Sequence, residues 1–225
     1  MRAFLGIDPA MANTGLALWV EGDDTVSTYL IQESADAMGF QHVAEAGMRI
    51  ASKVKGLVSM LDAKIDIDSV HIIMEYPPPT GNWAPGLFAV DALIYREIHE
   101  PLSPNRVYLA HPTKIDTLLV GPEPETPVPG MKRQVKFTKT ERRKWVGKIL
   151  DHNGLKVSIG ARKPKKPLKS LKDGSPRKPK PPKTLTPDEG DAAMLLFYLV
   201  RNQTDRITLP EGLLPDRWEM KEDHV

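Results

Sequence analysis

Two kinds of hydrophobic pattern alternate along the chain and predict its elements. Residues 4–8 and 14–19 are apolar runs of strand length, separated by a short turn that contains proline, asparagine and glycine. Residues 26–32 are rich in β-branched and aromatic side chains, which favour a pleated, half-buried strand. These three stretches predict an antiparallel meander at the start of the fold, and its first strand ends at Asp8.

A helical period replaces this pattern between residues 35 and 64, where apolar residues recur three or four positions apart. A short apolar strand then runs from residue 70 to Glu75 and is stopped by three prolines. The elements predicted after it are a helix at 86–99, a strand at 107–110, a short helix at 113–120 and a helix at 140–152.

The last predicted helix begins after Thr186 and is almost wholly apolar. Pro187 at its first position and Glu189 three residues after the cap are typical of a helix start. The element order is therefore β-β-β-α-β-α-β-α-α. This order predicts an α/β fold with a mixed sheet, antiparallel in its first half, parallel in its second, and covered by helices.

Four acidic residues lie at the ends of these apolar elements. If strands 4–8 and 70–75 are parallel neighbours, Asp8 and Glu75 emerge at the same edge of the sheet. Asp188 and Asp191 are three residues apart in the first turn of the last helix, so they share one of its faces. A buried helix that crosses the sheet can bring this face to the same edge.

Each of these acids also has an ordinary structural explanation. Asp188 suits the positive end of a helix dipole, Asp8 suits a turn, and Glu75 can face water at a strand end. Asp191 is harder to explain in this way, because a charge beside an apolar helix needs a partner. Since four such carboxylates would repel one another without a cation, the set predicts an all-oxygen site for Mg²⁺ or Mn²⁺.

Composition narrows the choice of protein class. The 225 residues, 40% of them apolar, can build one core with an accessory segment. The absence of cysteine excludes disulfides, thiolate zinc sites and cysteine nucleophiles. No apolar run reaches the length of a membrane span, and the chain enters its first strand directly. We therefore expect a cytoplasmic protein with no membrane partner.

Positive charge is concentrated in one segment. The net charge is only +2, yet residues 156–187 contain 11 Lys or Arg and a single acid, which leaves the rest of the chain with a balance of −8. This asymmetry indicates a polyanionic partner, although a solvated tail that keeps the protein in solution is the alternative. The seven prolines of the segment predict an irregular insert.

The motifs at the two ends of the chain resemble those of a known family. Residues 6–9 (Gly-Ile-Asp-Pro) with a downstream Thr-Gly, a strand that ends in Glu75, and residues 188–192 (Asp-Glu-Gly-Asp-Ala) are similar to the RuvC-type Holliday junction resolvases of the RNase H-like superfamily. The likeness covers roughly residues 1–154 and 186–203. The long basic insert and an acidic Pro/Glu loop at 121–130 depart from the bacterial enzymes and look more like a bacteriophage or otherwise divergent branch.

This resemblance implies a five-stranded mixed sheet flanked by helices, in one nuclease domain over 1–203 with the basic insert at 156–187 and a tail at 204–225. It implies a homodimer that acts in DNA recombination and repair, cutting four-way junctions by paired nicks. It also implies that the catalytic residues are four acids that bind two Mg²⁺ or Mn²⁺ ions, namely Asp8, Glu75, Asp188 and Asp191.

Several basic residues are candidates for DNA contacts. Lys114 falls where the family carries a DNA-contacting lysine, and Lys139 falls near a second one. The basic helix and the insert, which we expect to clamp a junction arm without reading sequence, add Arg142, Arg143, Arg162, Lys163, Lys165, Lys166, Arg177, Lys178 and Lys180. Trp83 follows Glu75 in the chain and is expected either to stack on an unpaired base or to plug an interface or the core.

Three other function classes stay open at this point. A less specific nuclease of the same fold, acting on branched DNA or on RNA:DNA hybrids, would use the same acids. A non-catalytic DNA-binding protein on this scaffold would have no need to keep all four of them. Sugar kinases and actin-like ATPases have a hairpin similar to residues 4–19, but that architecture needs two such domains and a second phosphate loop.

Overall fold

A computed structural model of the protein describes residues 1–33, 40–63, 69–76, 84–99, 106–111, 131–133, 138–162, 184–210 and 218–220. Its strands are β1 (Ala3–Asp8), β2 (Asn13–Val20), β3 (Thr25–Gln32), β4 (Val70–Glu75), β5 (Val107–Ala110), β6 (Met131–Arg133), β7 (Lys156–Ile159) and β8 (Trp218–Met220). Its helices are α1 (Phe40–Asp62), α2 (Ala84–His99), α3 (Lys139–His152) and α4 (Pro187–Gln203).

The main sheet is mixed, as the element order predicted. Its strands lie in the order β5-β4-β1-β2-β3-β7. The pairs β1/β2 and β2/β3 are antiparallel, whereas β4 pairs parallel with β1, β5 parallel with β4 and β7 parallel with β3. The predicted parallel arrangement of the two strands that end in Asp8 and Glu75 is thus confirmed.

The sheet has six strands where five were expected. The additional strand, β7, falls at the start of the segment that was predicted to be irregular, and it pairs with β3 from Thr25↔Lys156 to Thr28↔Ile159. It lies at the sheet edge and is largely exposed, and its polar/apolar alternation (Lys-Val-Ser-Ile) is only four residues long, too short to mark a strand in the sequence. The backbone N–H and C=O groups along the edge of β3 pair with those of β7, and only the tertiary structure brings these two segments together. A separate two-stranded sheet pairs β6 with β8.

Helices cover both faces of the main sheet and form two apolar cores. On one face α1 and α2 pack against β1 residues such as Leu5 and Ile7. On the other face α4, supported by α3, packs against Phe4 and Trp19. The stretch from Ala192 to Phe197 is fully buried, which confirms that the last apolar helix lies inside the protein. No helix in the described ranges is both long enough and apolar enough to span a membrane.

Two glycines let α4 lie directly on the sheet. A β-carbon on Gly6 would stand 2.2 Å from the Ala192 carbonyl oxygen, and one on Gly15 would stand 2.1 Å from that of Asp188. Since no real β-carbon approaches a backbone oxygen so closely, any larger residue at either position would push the helix away. The start of α4 is therefore set against β2.

The predicted start of the last helix is confirmed in detail. The Thr186 side chain accepts a hydrogen bond from the Glu189 backbone N–H, the Glu189 carboxylate accepts one from the Thr186 N–H, and Pro187 occupies the first turn. Helix α3 begins with an equivalent box between Thr138 and Glu141. The other predicted helices match α1 and α2 within a few residues, and the short helix predicted at 113–120 lies outside the described residues.

Candidate active site

The predicted acidic residues come together at one edge of the main sheet. Asp8 is the last residue of β1 and Glu75 the last of β4, and the two strands run side by side in the same direction. The first turn of α4 reaches this edge, because Gly15, the partner of Asp8 on β2, packs against the backbone of Asp188. Asp8 is 9% exposed and Asp191 only 2%, so both carboxylates are largely removed from water.

The other three predicted acids act electrostatically on Asp8. The pKa of Asp8 lies well above its usual value, mainly because burial disfavours the charged form and then because Glu75, Asp191 and Asp188 repel it. Lys139 acts in the opposite direction. Carboxylates from β1, β4 and α4 therefore interact directly through space, although 180 residues separate Asp8 from Asp188 in the chain.

Two cations from the first turn of α3 compensate this negative charge. The Lys139 Nζ lies 3.1 Å from an Asp188 oxygen and 3.5 Å from an Asp191 oxygen. The Arg142 guanidinium lies 3.2 Å from the other Asp191 oxygen. Burial by itself would lower the pKa of Lys139, but the hydrogen bond to Asp188 and the charges of Asp8, Asp188 and Asp191 outweigh it and raise the pKa. The Lys139 side chain therefore stays protonated and positively charged.

The donor chemistry of the site fits a hard divalent cation, because every candidate ligand is a carboxylate oxygen. Within the described ranges, however, no three Asp, Glu or His side chains are arranged to hold one ion as they stand. Lys139 engages both Asp188 and Asp191, and Arg142 engages Asp191 as well. A divalent cation at this edge would compete with these two side chains for the same oxygens.

Comparison with solved structures relates this arrangement to known proteins. Thermus thermophilus RuvC matches over 90% of this chain and 97% of its own, with a TM-score of 0.50 and 18% sequence identity. The chain has the RuvC fold. A second structure, T. thermophilus RuvC in complex with a Holliday junction substrate, matches over 91% of this chain and 98% of its own, with a TM-score of 0.50 and 14% identity.

The yeast mitochondrial Holliday junction resolvase Ydc2 matches with a TM-score of 0.45 and 16% identity, over 89% of this chain and 78% of its own. No protein-family model matches the sequence, and no curated protein matches it significantly. The two RuvC structures confirm, at the level of the fold, the likeness that the motifs led us to expect. The two most specific motifs, residues 6–9 and 188–192, lie at the end of β1 and the start of α4.

Within this RuvC fold, the described basic candidates contact protein rather than standing free at the surface. Lys139 and Arg142 belong to the acidic site itself. Arg143 donates to the Leu185 carbonyl at 3.4 Å and to Thr140 Oγ1 at 3.3 Å.

Arg162 pairs with Glu189, and its side chain is 22% exposed. Eight candidates lie outside the described residues, namely Trp83, Lys114, Lys163, Lys165, Lys166, Arg177, Lys178 and Lys180. The structure therefore does not test their predicted role.

Two acidic residues near the site were not singled out for chemistry in the sequence. Glu189 is fully buried and forms an ion pair with Arg162, whereas the sequence predicted only a capping role for it. Asp91 on α2 is 7% exposed and lines a cavity of about 200 Å³ together with Tyr76, Phe88 and Tyr95. Burial and then the charge of Glu75 raise the pKa of Asp91 to about 7. The sequence feature that could have pointed to Asp91 is the position of an acidic residue on the apolar face of a predicted helix.

Proposed function

We propose that this protein is a metal-dependent endonuclease that resolves four-way DNA junctions by paired phosphodiester hydrolysis. The observation that carries the proposal is the placement of Asp8 and Glu75 at the ends of neighbouring parallel strands, with the first turn of α4, which carries Asp188 and Asp191, packed on Gly15 at the same sheet edge of a RuvC fold. Support for the substrate comes from the structural neighbour, since one of its structures is a complex with a Holliday junction substrate.

In this proposal, the four carboxylates hold two Mg²⁺ or Mn²⁺ ions. Such ions, when bound, supply the Lewis acidity that activates water and offsets the charge of the leaving 3′-oxygen. Asp8 would be the central ligand of this set, because Glu75, Asp188 and Asp191 all act on it. The buried position of Asp8 and Asp191 limits competition from bulk water and strengthens their attraction to a cation.

Besides neutralising the carboxylates, Lys139 is proposed to contact the DNA backbone. Its ammonium lies among the carboxylates in the protein alone. With those oxygens bound to divalent cations, the Lys139 ammonium would be free to contact the negative charge of the scissile or an adjacent phosphate. Lys114 is proposed to make a similar contact, and Trp83 to stack on an unpaired base at the crossover.

The basic insert is proposed to clamp a junction arm. Its nine Lys or Arg residues between positions 163 and 183 can neutralise phosphates without reading base sequence. The residues that flank this basic stretch lie beside the first turn of α4, because Arg162 pairs with Glu189 and donates a hydrogen bond to the Thr184 carbonyl at 2.7 Å. Bound DNA would thus be held next to the acidic edge.

The active form is proposed to be a homodimer. Resolution of a four-way junction requires two cuts in strands of the same polarity, whereas the described part of one chain provides one acidic site. Two copies related by a twofold axis match the symmetry of such a junction. Mixed dimers of wild-type protein and an Asp8→Asn variant should therefore make single nicks in place of paired ones.

The decisive experiment is a nicking assay with purified protein and Mg²⁺ on an immobile four-way junction. Flap, mismatched duplex and RNA:DNA substrates of equal length serve as comparisons. We expect symmetric paired nicks in the junction, and an Asp8→Asn variant that binds the junction without cutting it. Equal cutting of RNA:DNA hybrids would favour a less specific nuclease, and cleavage by Asp8→Asn would refute the assigned site.

A further inference from the structure

A buried ion pair links the basic insert to the acidic site. Arg162, the last residue of the insert that the structure describes before Thr184, donates through Nη2 to Glu189 Oε2. Glu189 is fully buried, and the Arg162 side chain is 22% exposed. A buried carboxylate needs a counter-ion or hydrogen bonds to remain charged. The local structure around Glu189 therefore depends on its contact with Arg162.

Glu189 lies between Asp188 and Asp191 in the first turn of α4. The oxygen that accepts from Arg162 also accepts from the Thr186 N–H at 2.7 Å and from Thr186 Oγ1 at 2.9 Å. Among the described residues, the other Glu189 oxygen has no hydrogen-bond partner. One carboxylate oxygen therefore joins the helix cap to Arg162, within the turn that supplies two of the four acids.

Arg162 also bonds to the chain on the far side of the insert. Its Nη2 donates to the Thr184 carbonyl at 2.7 Å, two residues before the Thr186 cap. Arg143 reinforces the same place, because it donates to the Leu185 carbonyl and its side chain packs against Gly190. The residues on both sides of the stretch 163–183 are thus attached to the first turn of α4 or to each other.

We propose that Arg162 is a positioning residue for Asp188 and Asp191 and not a DNA contact. It neutralises Glu189, holds the cap of α4 and thereby sets where the two aspartates stand relative to Asp8. The inference rests on the proposed function for the role of those aspartates as metal ligands. It replaces the expectation that Arg162 belongs with the DNA-binding lysines of the insert.

The test compares Arg162→Gln with Arg2→Gln in the full-length protein. Arg2 is a matched control, because it pairs with Glu21 at 2.8 Å, next to the opposite ends of β1 and β2. We expect Arg162→Gln to weaken Mn²⁺ binding, measured by calorimetry, about tenfold or more, since ligand displacements near 1 Å are costly. Nicking at saturating junction should fall in parallel, while Arg2→Gln changes neither quantity.

Junction affinity distinguishes positioning from DNA contact. In Ca²⁺, used to bind DNA without cutting, Arg162→Gln should shift the dissociation constant less than about twofold and leave its salt dependence unchanged. A weaker junction complex with a flatter salt dependence and unchanged Mn²⁺ affinity would overturn the proposal. So would a variant with a lower melting temperature but normal Mn²⁺ binding and nicking below that temperature.

A second variant keeps the proposal testable if Arg162→Gln does not fold. Glu189→Gln keeps the shape of the side chain and removes the charge, so it should weaken Mn²⁺ binding in the same way. The double variant should be no worse than either single one, because both act through one contact. Additive losses would contradict the proposal, and Arg162→Lys should restore part of the affinity.

Failure of this inference can be told apart from failure of the proposed function. Wild-type protein that cuts junctions while Arg162→Gln binds Mn²⁺ normally would refute only the positioning role. Wild-type protein that binds Mn²⁺ but never cuts junctions would refute the proposed function, and the calorimetric comparison would still decide the role of Arg162.

Discussion

Gly15 lies directly against the backbone of Asp188. A β-carbon at position 15 would stand 2.1 Å from the Asp188 carbonyl oxygen and 2.4 Å from its carbonyl carbon. Because Gly15 is also the partner of Asp8 across β1 and β2, it connects the two halves of the acidic site. The hairpin of β1 and β2 thus shapes the site through the backbone of Gly15, which has no side chain.

Substitution of Gly15 by alanine should therefore damage both stability and activity. The new methyl group meets backbone atoms, which cannot rotate away, so α4 must shift at a cost of about 1–3 kcal/mol in the free energy of unfolding. A displacement of Asp188 near 1 Å would lower the nicking rate by up to about a hundredfold. Denaturant unfolding and single-turnover nicking measure the two effects.

Gly56→Ala is the matched control for this substitution. Gly56 lies within α1, and a β-carbon there would meet nothing within 4 Å. The control should raise the free energy of unfolding by about 0.5–1 kcal/mol, because alanine favours helix more than glycine does. A Gly15→Ala protein as stable and active as the wild type would contradict the close packing of α4 on β2.

Replacement of Lys139 by methionine should strengthen metal binding and weaken cleavage. Lys139 contacts Asp188 and Asp191, so its removal frees carboxylate oxygens and removes a like charge from the neighbourhood of an incoming cation. We expect Mn²⁺ to bind about tenfold tighter, which corresponds to about 1.4 kcal/mol. Nicking should nonetheless slow, since the phosphate loses its ammonium partner. Lys144→Met, an exposed position on the same helix, should change neither property.

Asp91 should make stability depend on pH. Its folded-state pKa of about 7 lies above the ordinary value of 3.8, so the folded protein keeps a proton that the unfolded chain has released. The stabilisation is complete below pH 4 and is lost as the pH rises through 7, at up to about 1.4 kcal/mol per pH unit.

Asp91→Asn mimics the protonated acid and should remove this dependence. At pH 8 the variant should be more stable than the wild type by about 1–3 kcal/mol, and the difference should vanish near pH 4. Urea unfolding of both proteins across this pH range measures it. Asp151→Asn, at an exposed position on α3, is the control, and a difference for Asp91→Asn that does not vary with pH would argue against the prediction.

Removal of the basic insert should weaken junction binding and flatten its salt dependence. The deletion spans residues 163–183, with Arg162 and Thr184 joined by a short Gly/Ser linker so that the Arg162 contacts remain. Each phosphate contact that is lost should reduce the slope of log affinity against log salt by about 0.9. A same-length variant with the nine basic residues changed to glutamine separates charge from chain length. Affinity that stays unchanged across salt concentrations would rule out the clamp.

Much of the fold was predictable because its elements are repetitive and buried. The strands that end in Asp8 and Glu75 are largely apolar runs, and α4 is apolar from residue 192 to residue 200, so each carries its own signal. Edge strand β7 was not predictable, since its four residues are mostly exposed and depend on β3 for pairing. Glu189 was recognised as a cap but not as a buried charge.

The sequence by itself determined the mixed sheet, the start of α4 and the prediction that four acids meet at one edge, because burial and helix capping act over a few neighbouring residues. Only the tertiary structure decided which cations stand beside those acids. Lys139, Arg142 and Arg162 look alike in a basic sequence, yet packing against α4 brings Lys139 and Arg142 to Asp188 and Asp191 and brings Arg162 to Glu189. Electrostatic partners are chosen by distances of a few ångströms, which local sequence patterns do not encode.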